Sequence, residues 1–91
     1  MNKRIVDREG LKLFLLTKAK SLLIAKGIED QVPNEHFNYI EAEVLDSIGF
    51  IELLEEIEKN FSIEMNLQNI DPTQFTSVKG ILDHVAPEDD V

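Results

Sequence analysis

The 91 residues, 43% hydrophobic and 30% charged, suffice for one small domain over 1–91, because a second core would need roughly another hundred residues. Nine Lys and Arg against eighteen Asp and Glu leave a formal net charge of -9, which argues against nucleic acid and favours basic protein partners. No cysteine occurs, so disulfides, thiolate metal sites and an encoded nucleophilic thiol are excluded, and any thiol chemistry must be imported.

The chain starts with the basic Met1-Asn2-Lys3-Arg4, but Asp7, Arg8 and Glu9 interrupt the apolar stretch that a secretory signal needs. No apolar run exceeds that of Leu13 to Leu16, far short of the roughly 20 residues that cross a bilayer. No membrane span and a cytoplasmic location are therefore expected. From Asp7 to Lys26 the residues Leu11, Phe14, Leu15, Ala19, Leu22 and Leu23 recur at spacings of three and four, which predicts a first helix over 7–26 with one buried stripe. Gly27 suits a left-handed cap at its end. A long loop over 27–46 follows, carrying Pro33, Asn34 and Asn38, with Val32, Phe37, Tyr39 and Ile40 apolar enough to pack it against the helices.

Asp46-Ser47 then opens an amphipathic helix over 47–60. On a wheel of about 100° per residue, Phe50, Leu53, Leu54, Ile57 and Phe61 share one face, with Ile51 at its border. Glu52, Glu55 and Lys59 cluster around Ile48 on the opposite side. Ile48 is thus expected outside the core, either as an ordinary surface aliphatic or as an anchor in a partner's pocket. Asp71-Pro72 offers a cap and a first-turn proline for a short turn of helix over 71–75. Thr76-Ser77 opens a last helix over 77–86 carrying Val78, Ile81, Leu82 and Val85. No strand of alternating pattern is present, so the fold class is all-α, with three main helices and one short one. Phe14, Leu54, Ile57, Phe61 and Val78 are expected in the core.

Charge is segregated along this chain: 1–26 holds seven Lys and Arg against two acids, and 27–91 holds two against sixteen. A basic first helix can lie against an acidic remainder, with a negative face left over. Ser47 has two readings at this stage. Asp46-Ser47 is a helix cap, and a serine at a helix start is also where a phosphoester is best tolerated, since free backbone N–H groups and the dipole favour an anion.

Asp46-Ser47-Ile48, the apolar and acidic helix through Phe61, and Phe75-Thr76-Ser77-Val78 together resemble the acyl carrier proteins and carrier domains, which are small four-helix bundles. In that family the serine of Asp-Ser-Leu/Ile/Met carries 4'-phosphopantetheine, whose thiol holds acyl or aminoacyl groups as thioesters, and Ser47 is the matching position, with Asp46 before it. The resemblance implies a carrier that is not itself an enzyme. A separate phosphopantetheinyl transferase, using Mg²⁺ and coenzyme A, would attach the arm. An acyl- or aminoacyl-adenylating ligase would load it, and a downstream acyltransferase or synthase would unload it, with the carrier acting as a monomer. Ile48, Glu52, Glu55 and Glu56 are the residues expected to meet these partners, with Glu58 nearby. Fatty-acid-synthesis carriers usually have glycine where this chain has Val44, and a bulky apolar residue where it has Glu55. Val44-Leu45-Asp46-Ser47-Ile48-Gly49 looks closer to the D-alanyl carrier proteins and to specialised carriers with dedicated ligases.

Two other function classes compete with this one. An unmodified acidic helical adaptor for a basic protein would explain the charge alone. A hydrolase or lyase is disfavoured, because His36 in the loop and His84 on the last helix stand at no helical spacing from Ser47 that would make a nucleophile and base. Glu52 and Glu56 are spaced to share a cation, but no Asx-rich loop accompanies them and no metal is expected.

Overall fold

The computed structural model describes residues 7–64 and 75–86. Three helices are present among them, α1 over Arg8–Ala25, α2 over Ser47–Phe61 and α3 over Val78–Val85. The short helix expected over 71–75 lies outside the described residues. No strand occurs among the described residues, where an isolated bridge pairs Asn38 with Ser77.

The period of three and four in α1 becomes a buried line of Leu11, Leu15, Ala19 and Leu23. It meets Phe50, Leu53, Leu54 and Ile57 from α2 and Val78, Ile81 and Leu82 from α3. Phe14 and Phe61, expected in the core, are instead half-buried at its edge and cover one another edge-on, ring centroids 5.8 Å apart. Phe61 is the last residue of α2, where the helix has no further turn to cover it.

Gly27 takes φ +92° just after α1, and the Ile28 N–H donates to the Leu23 carbonyl at 2.8 Å. That glycine-capped exit turns the chain into the long loop. The loop is fastened by two aromatic residues, Phe37 and Tyr39, which enter the core. Val32 does not join them: it is 82% exposed, because it lies ahead of the turn over 34–37, closed by the Phe37 N–H on the Asn34 carbonyl at 2.9 Å, that carries the chain inward. The Tyr39 hydroxyl donates to the Leu15 carbonyl of α1 at 2.6 Å, which satisfies the one polar atom this ring brings into the core. Ring contacts then run from Phe37 to Tyr39, Phe50, Phe75 and His84, tying the loop to α2 and α3. His84 itself is exposed and stacked on Phe75, 4.6 Å between centroids, and His36 is exposed in the loop.

The basic side of α1 is turned to internal use. Lys18 pairs with Glu56 of α2 at 3.3 Å. Lys20 donates to the Glu29 and Gln31 carbonyls, both at 2.9 Å. Arg8 reaches across to the end of α3, donating to the Ala86 carbonyl at 2.8 Å and to Asp83 at 3.1 Å. Cations at a helix C-terminus complement its dipole. The Arg8 hydrogen bond, with a second from Lys79, holds the Asp83 carboxyl below its usual range.

Candidate functional site

The loop ends in a compact turn that delivers the start of α2. Asn38 Oδ1 accepts from the Ile40 and Glu41 N–H groups, both at 2.9 Å, which starts the turn. The Tyr39 carbonyl, fixed by its buried ring, accepts from the Val44 and Leu45 N–H groups at 3.2 Å each. Between them Glu43 sits at φ +61°, in the left-handed region. For a residue with a side chain that conformation costs about 1–2 kcal/mol, so other contacts must hold it. Within the turn the Glu43 N–H donates to the Ile40 carbonyl at 2.9 Å and the Ala42 N–H to that of Asn38 at 3.0 Å, and the Lys26 ammonium adds two bonds from the end of α1, donating to the Glu43 carbonyl at 2.9 Å and the Ala42 carbonyl at 3.3 Å.

Asp46 is the N-cap of α2, and its Oδ1 accepts from the Gly49 N–H at 2.7 Å. Gly49 permits this closeness, since a Cβ there would lie 3.3 Å from that oxygen and 3.0 Å from Leu45 Cδ2. Because the aspartate does the capping, Ser47 is spared it. Ser47 is the first helical residue, exposed, and its hydroxyl has no hydrogen-bond partner among the described residues. The first N–H groups of a helix lack intrahelical acceptors, so the Ser47 and Ile48 N–H groups stand ready for an anion on the Ser47 oxygen. A shallow depression lined by Ile40, Glu43, Val44 and Leu45 opens beside Asp46 and Ser47.

The chain has four serines, and their settings differ. Ser77 also stands at a helix start, but its Oγ accepts from the Gly80 N–H at 2.9 Å as the cap of α3. Ser21 is in the third turn of α1 or later, away from either helix end, and Ser62 caps the end of α2 in the left-handed conformation. Ser47 is the serine that combines a helix start with an unengaged hydroxyl.

Ile48 is 71% exposed next to it, on the side of α2 away from the core. Glu52 and Glu55 are exposed along the same helix and have no ion-pair partner among the described residues. Glu56 is different: it is half-buried against α1 and engaged with Lys18. The structure therefore gathers Asp46, Ser47, Ile48, Glu52 and Glu55 at one end and face of α2, and spends Glu56 on the α1–α2 contact. Lys26, Tyr39 and Glu43 carry no motif in the sequence. Their traces are Gly27, which fixes where α1 ends and hence where Lys26 stands, and the apolar character of Tyr39, which marks it as a packing residue of the loop.

An exposed serine with an unengaged hydroxyl thus stands at the start of an acidic helix, where a group could be attached from outside. A family model described as "Phosphopantetheine attachment site" matches residues 27–85, well over half of the chain, and the protein belongs to that family. Its members carry covalent 4'-phosphopantetheine on a serine and are carriers that interact with modifying and acyl-handling enzymes, not enzymes themselves. Comparison with curated proteins gives no match, and comparison with solved structures gives none. The residues present fit the group, because a free hydroxyl, uncommitted N–H groups and a neighbouring carboxylate already tied to Gly49 leave room for a phosphodiester. No helix of the described residues is long and apolar enough to cross a membrane.

Proposed function

We propose that Ser47 is the residue that carries 4'-phosphopantetheine, with Asp46 fixing its place at the helix start. The observation that carries this reading is the contrast between the two helix-start serines: the Ser77 hydroxyl is used for capping and the Ser47 hydroxyl is not. A phosphopantetheinyl transferase, with Mg²⁺, would bring coenzyme A to the Ser47 oxygen. The new bond joins Oγ to phosphorus, the pyrophosphate link of coenzyme A breaks with adenosine 3',5'-bisphosphate as the leaving group, and the serine proton leaves to the transferase. When bound, the arm supplies a terminal thiol that holds cargo as a thioester. The Ser47 and Ile48 N–H groups would be available to the phosphodiester, Ile48 would offer an apolar anchor, and Glu52 and Glu55 would attract basic enzyme surfaces.

The cargo reading follows from two positions. Val44 lines the depression beside Ser47, and Glu55 is exposed where fatty-acid carriers usually present a bulky apolar side chain. Both support a carrier of the D-alanyl or specialised kind, served by a dedicated acyl- or aminoacyl-adenylating ligase and a downstream acyltransferase or synthase. The acidic surface supports work as a monomer in the cytoplasm without nucleic acid, since like charges of this number oppose self-association and phosphate binding.

Incubation with coenzyme A, Mg²⁺ and a broad-specificity transferase should add one phosphopantetheine by intact mass, and Ser47→Ala should abolish the gain. Modification that persists in Ser47→Ala would move the site elsewhere. No gain in either protein would favour the unmodified adaptor. ATP-dependent loading of the modified protein with amino acids and with fatty acids, by candidate ligases, then separates the cargo classes.

A further inference from the structure

We infer that Lys26 is a positioning residue for the modification of Ser47, acting as a brace that holds the strained Glu43 turn and thereby sets where the start of α2 stands. The inference rests on the reading of Ser47 as the attachment residue.

Lys26 is mounted rigidly. It is the C-cap of α1, its own N–H donates back into the last turn, and Gly27 follows in the left-handed conformation. From that point the ammonium reaches 16 and 17 residues along the chain to two successive carbonyls, Ala42 at 3.3 Å and Glu43 at 2.9 Å. It also stands 3.8 Å from the Glu43 carboxylate. These contacts converge on Glu43, one of two described residues other than glycine with positive φ, the other being Ser62 at the end of α2. The next two residues, Val44 and Leu45, are tied by their N–H groups to the Tyr39 carbonyl, and Asp46 then caps α2. Each residue from Ala42 to Asp46, the one before Ser47, thus takes part in at least one hydrogen bond. Removing the brace leaves the left-handed residue with fewer contacts to favour it, so the turn relaxes toward ordinary conformations and the Asp46-Ser47 pair loses its fixed position. Lys26 makes no contact with Ser47 and is not itself in the wall of the depression, although Glu43, which it holds, is, so its effect reaches the serine through the turn.

The test uses the full chain, coenzyme A, Mg²⁺ and a purified transferase. Lys26→Met keeps the aliphatic stem and removes the donors. It should lower the kcat of modification by about three- to tenfold, the range for losing one or two modest hydrogen bonds, with KM nearly unchanged because the acidic docking face of α2 is intact. Lys26→Arg, which keeps donors, should retain most of the rate. Adding Glu43→Gly to Lys26→Met should recover it, since glycine adopts positive φ without penalty. Amide exchange at Val44 and Leu45 should quicken in Lys26→Met and return in the double variant, a readout independent of the transferase. Wild-type kcat and exchange in Lys26→Met would overturn the inference, as would a double variant as slow as the single one. Ser47→Ala, run in parallel, keeps the two readings apart: modification that persists there overturns the choice of serine, and its absence together with a normal Lys26→Met overturns only the brace.

Discussion

Tyr39 sends its hydroxyl to a helix carbonyl in the core while its backbone carbonyl holds the turn before α2, so one residue links α1 to the approach of the candidate site. Burial pushes the phenol above its ordinary value of about 10, because the ionised ring would lose solvation. The folded state therefore holds this proton more tightly than the unfolded chain does. Its contribution to stability is complete below about pH 10 and is lost as the pH rises past that value. Tyr39→Phe should cost about 1 kcal/mol near neutrality, the usual worth of a buried hydrogen bond, and should lose less stability than the wild type between about pH 9 and about pH 11. Urea melts of the two proteins across that range decide it; parallel curves would mean that the phenol is not the alkaline trigger.

At the level of elements, α2 and α3 begin in the same way. A side-chain oxygen at the cap accepts from the N–H three residues on, and that residue is glycine in both, Gly49 and Gly80. The two glycines are not equivalent. A Cβ on Gly80 would lie 3.1 Å from the Cα of Phe75, which is backbone. On Gly49 it would meet the end of the Leu45 side chain at 3.0 Å and the capping Asp46 Oδ1 at 3.3 Å, both side-chain atoms that can shift by a few tenths of an ångström. Gly80→Ala should destabilise by about 1–3 kcal/mol, as overpacking does, whereas Gly49→Ala should stay within about 1 kcal/mol of the wild type, since gained helix propensity offsets the contact. Thermal melts of both compare them directly, and equal losses would refute the distinction. The helices themselves were legible because their apolar period repeats over many residues, and α1 and α2 run within a residue or two of their expected bounds. Phe61 was misjudged because a wheel gives angle and not depth, and the last residue of a helix can point inward and remain half-covered.

The whole molecule divides its charge between internal and external use. Lys18, Arg8 and Lys26 of the basic segment meet acids of the remainder at Glu56, Asp83 and Glu43, which leaves Glu52 and Glu55 to face solvent beside Ser47 and Ile48. If these two carboxylates steer a basic transferase, reversing both to Lys should slow modification about three- to tenfold at low salt. The difference should shrink near physiological salt, where the Debye length is about 8 Å. Rates measured over a salt series test this, and a salt-independent loss would indicate a contact effect instead of steering. The exposed Ile48 and the candidate serine were legible in the chain, since a helix start and a wheel are local facts. The brace at Lys26, the left-handed Glu43 and the Tyr39 bond to Leu15 were not, because each joins residues that no period or short motif relates.

The backbone of the loop also clasps the start of α3: Tyr39 N–H donates to the Thr76 carbonyl, Val78 N–H to that of Phe37 and Lys79 N–H to that of Glu35. Asn38 adds a side-chain bond to Thr76 at 2.8 Å. These partners stand about forty residues apart, so closing the clasp costs more chain entropy than forming any helix turn, and helices assemble from local contacts first. The turn before Ser47 is therefore coupled to α3 through Tyr39, whose N–H is held by the Thr76 carbonyl and whose own carbonyl holds Val44 and Leu45, so that undocking α3 would loosen one side of the residue that anchors that turn.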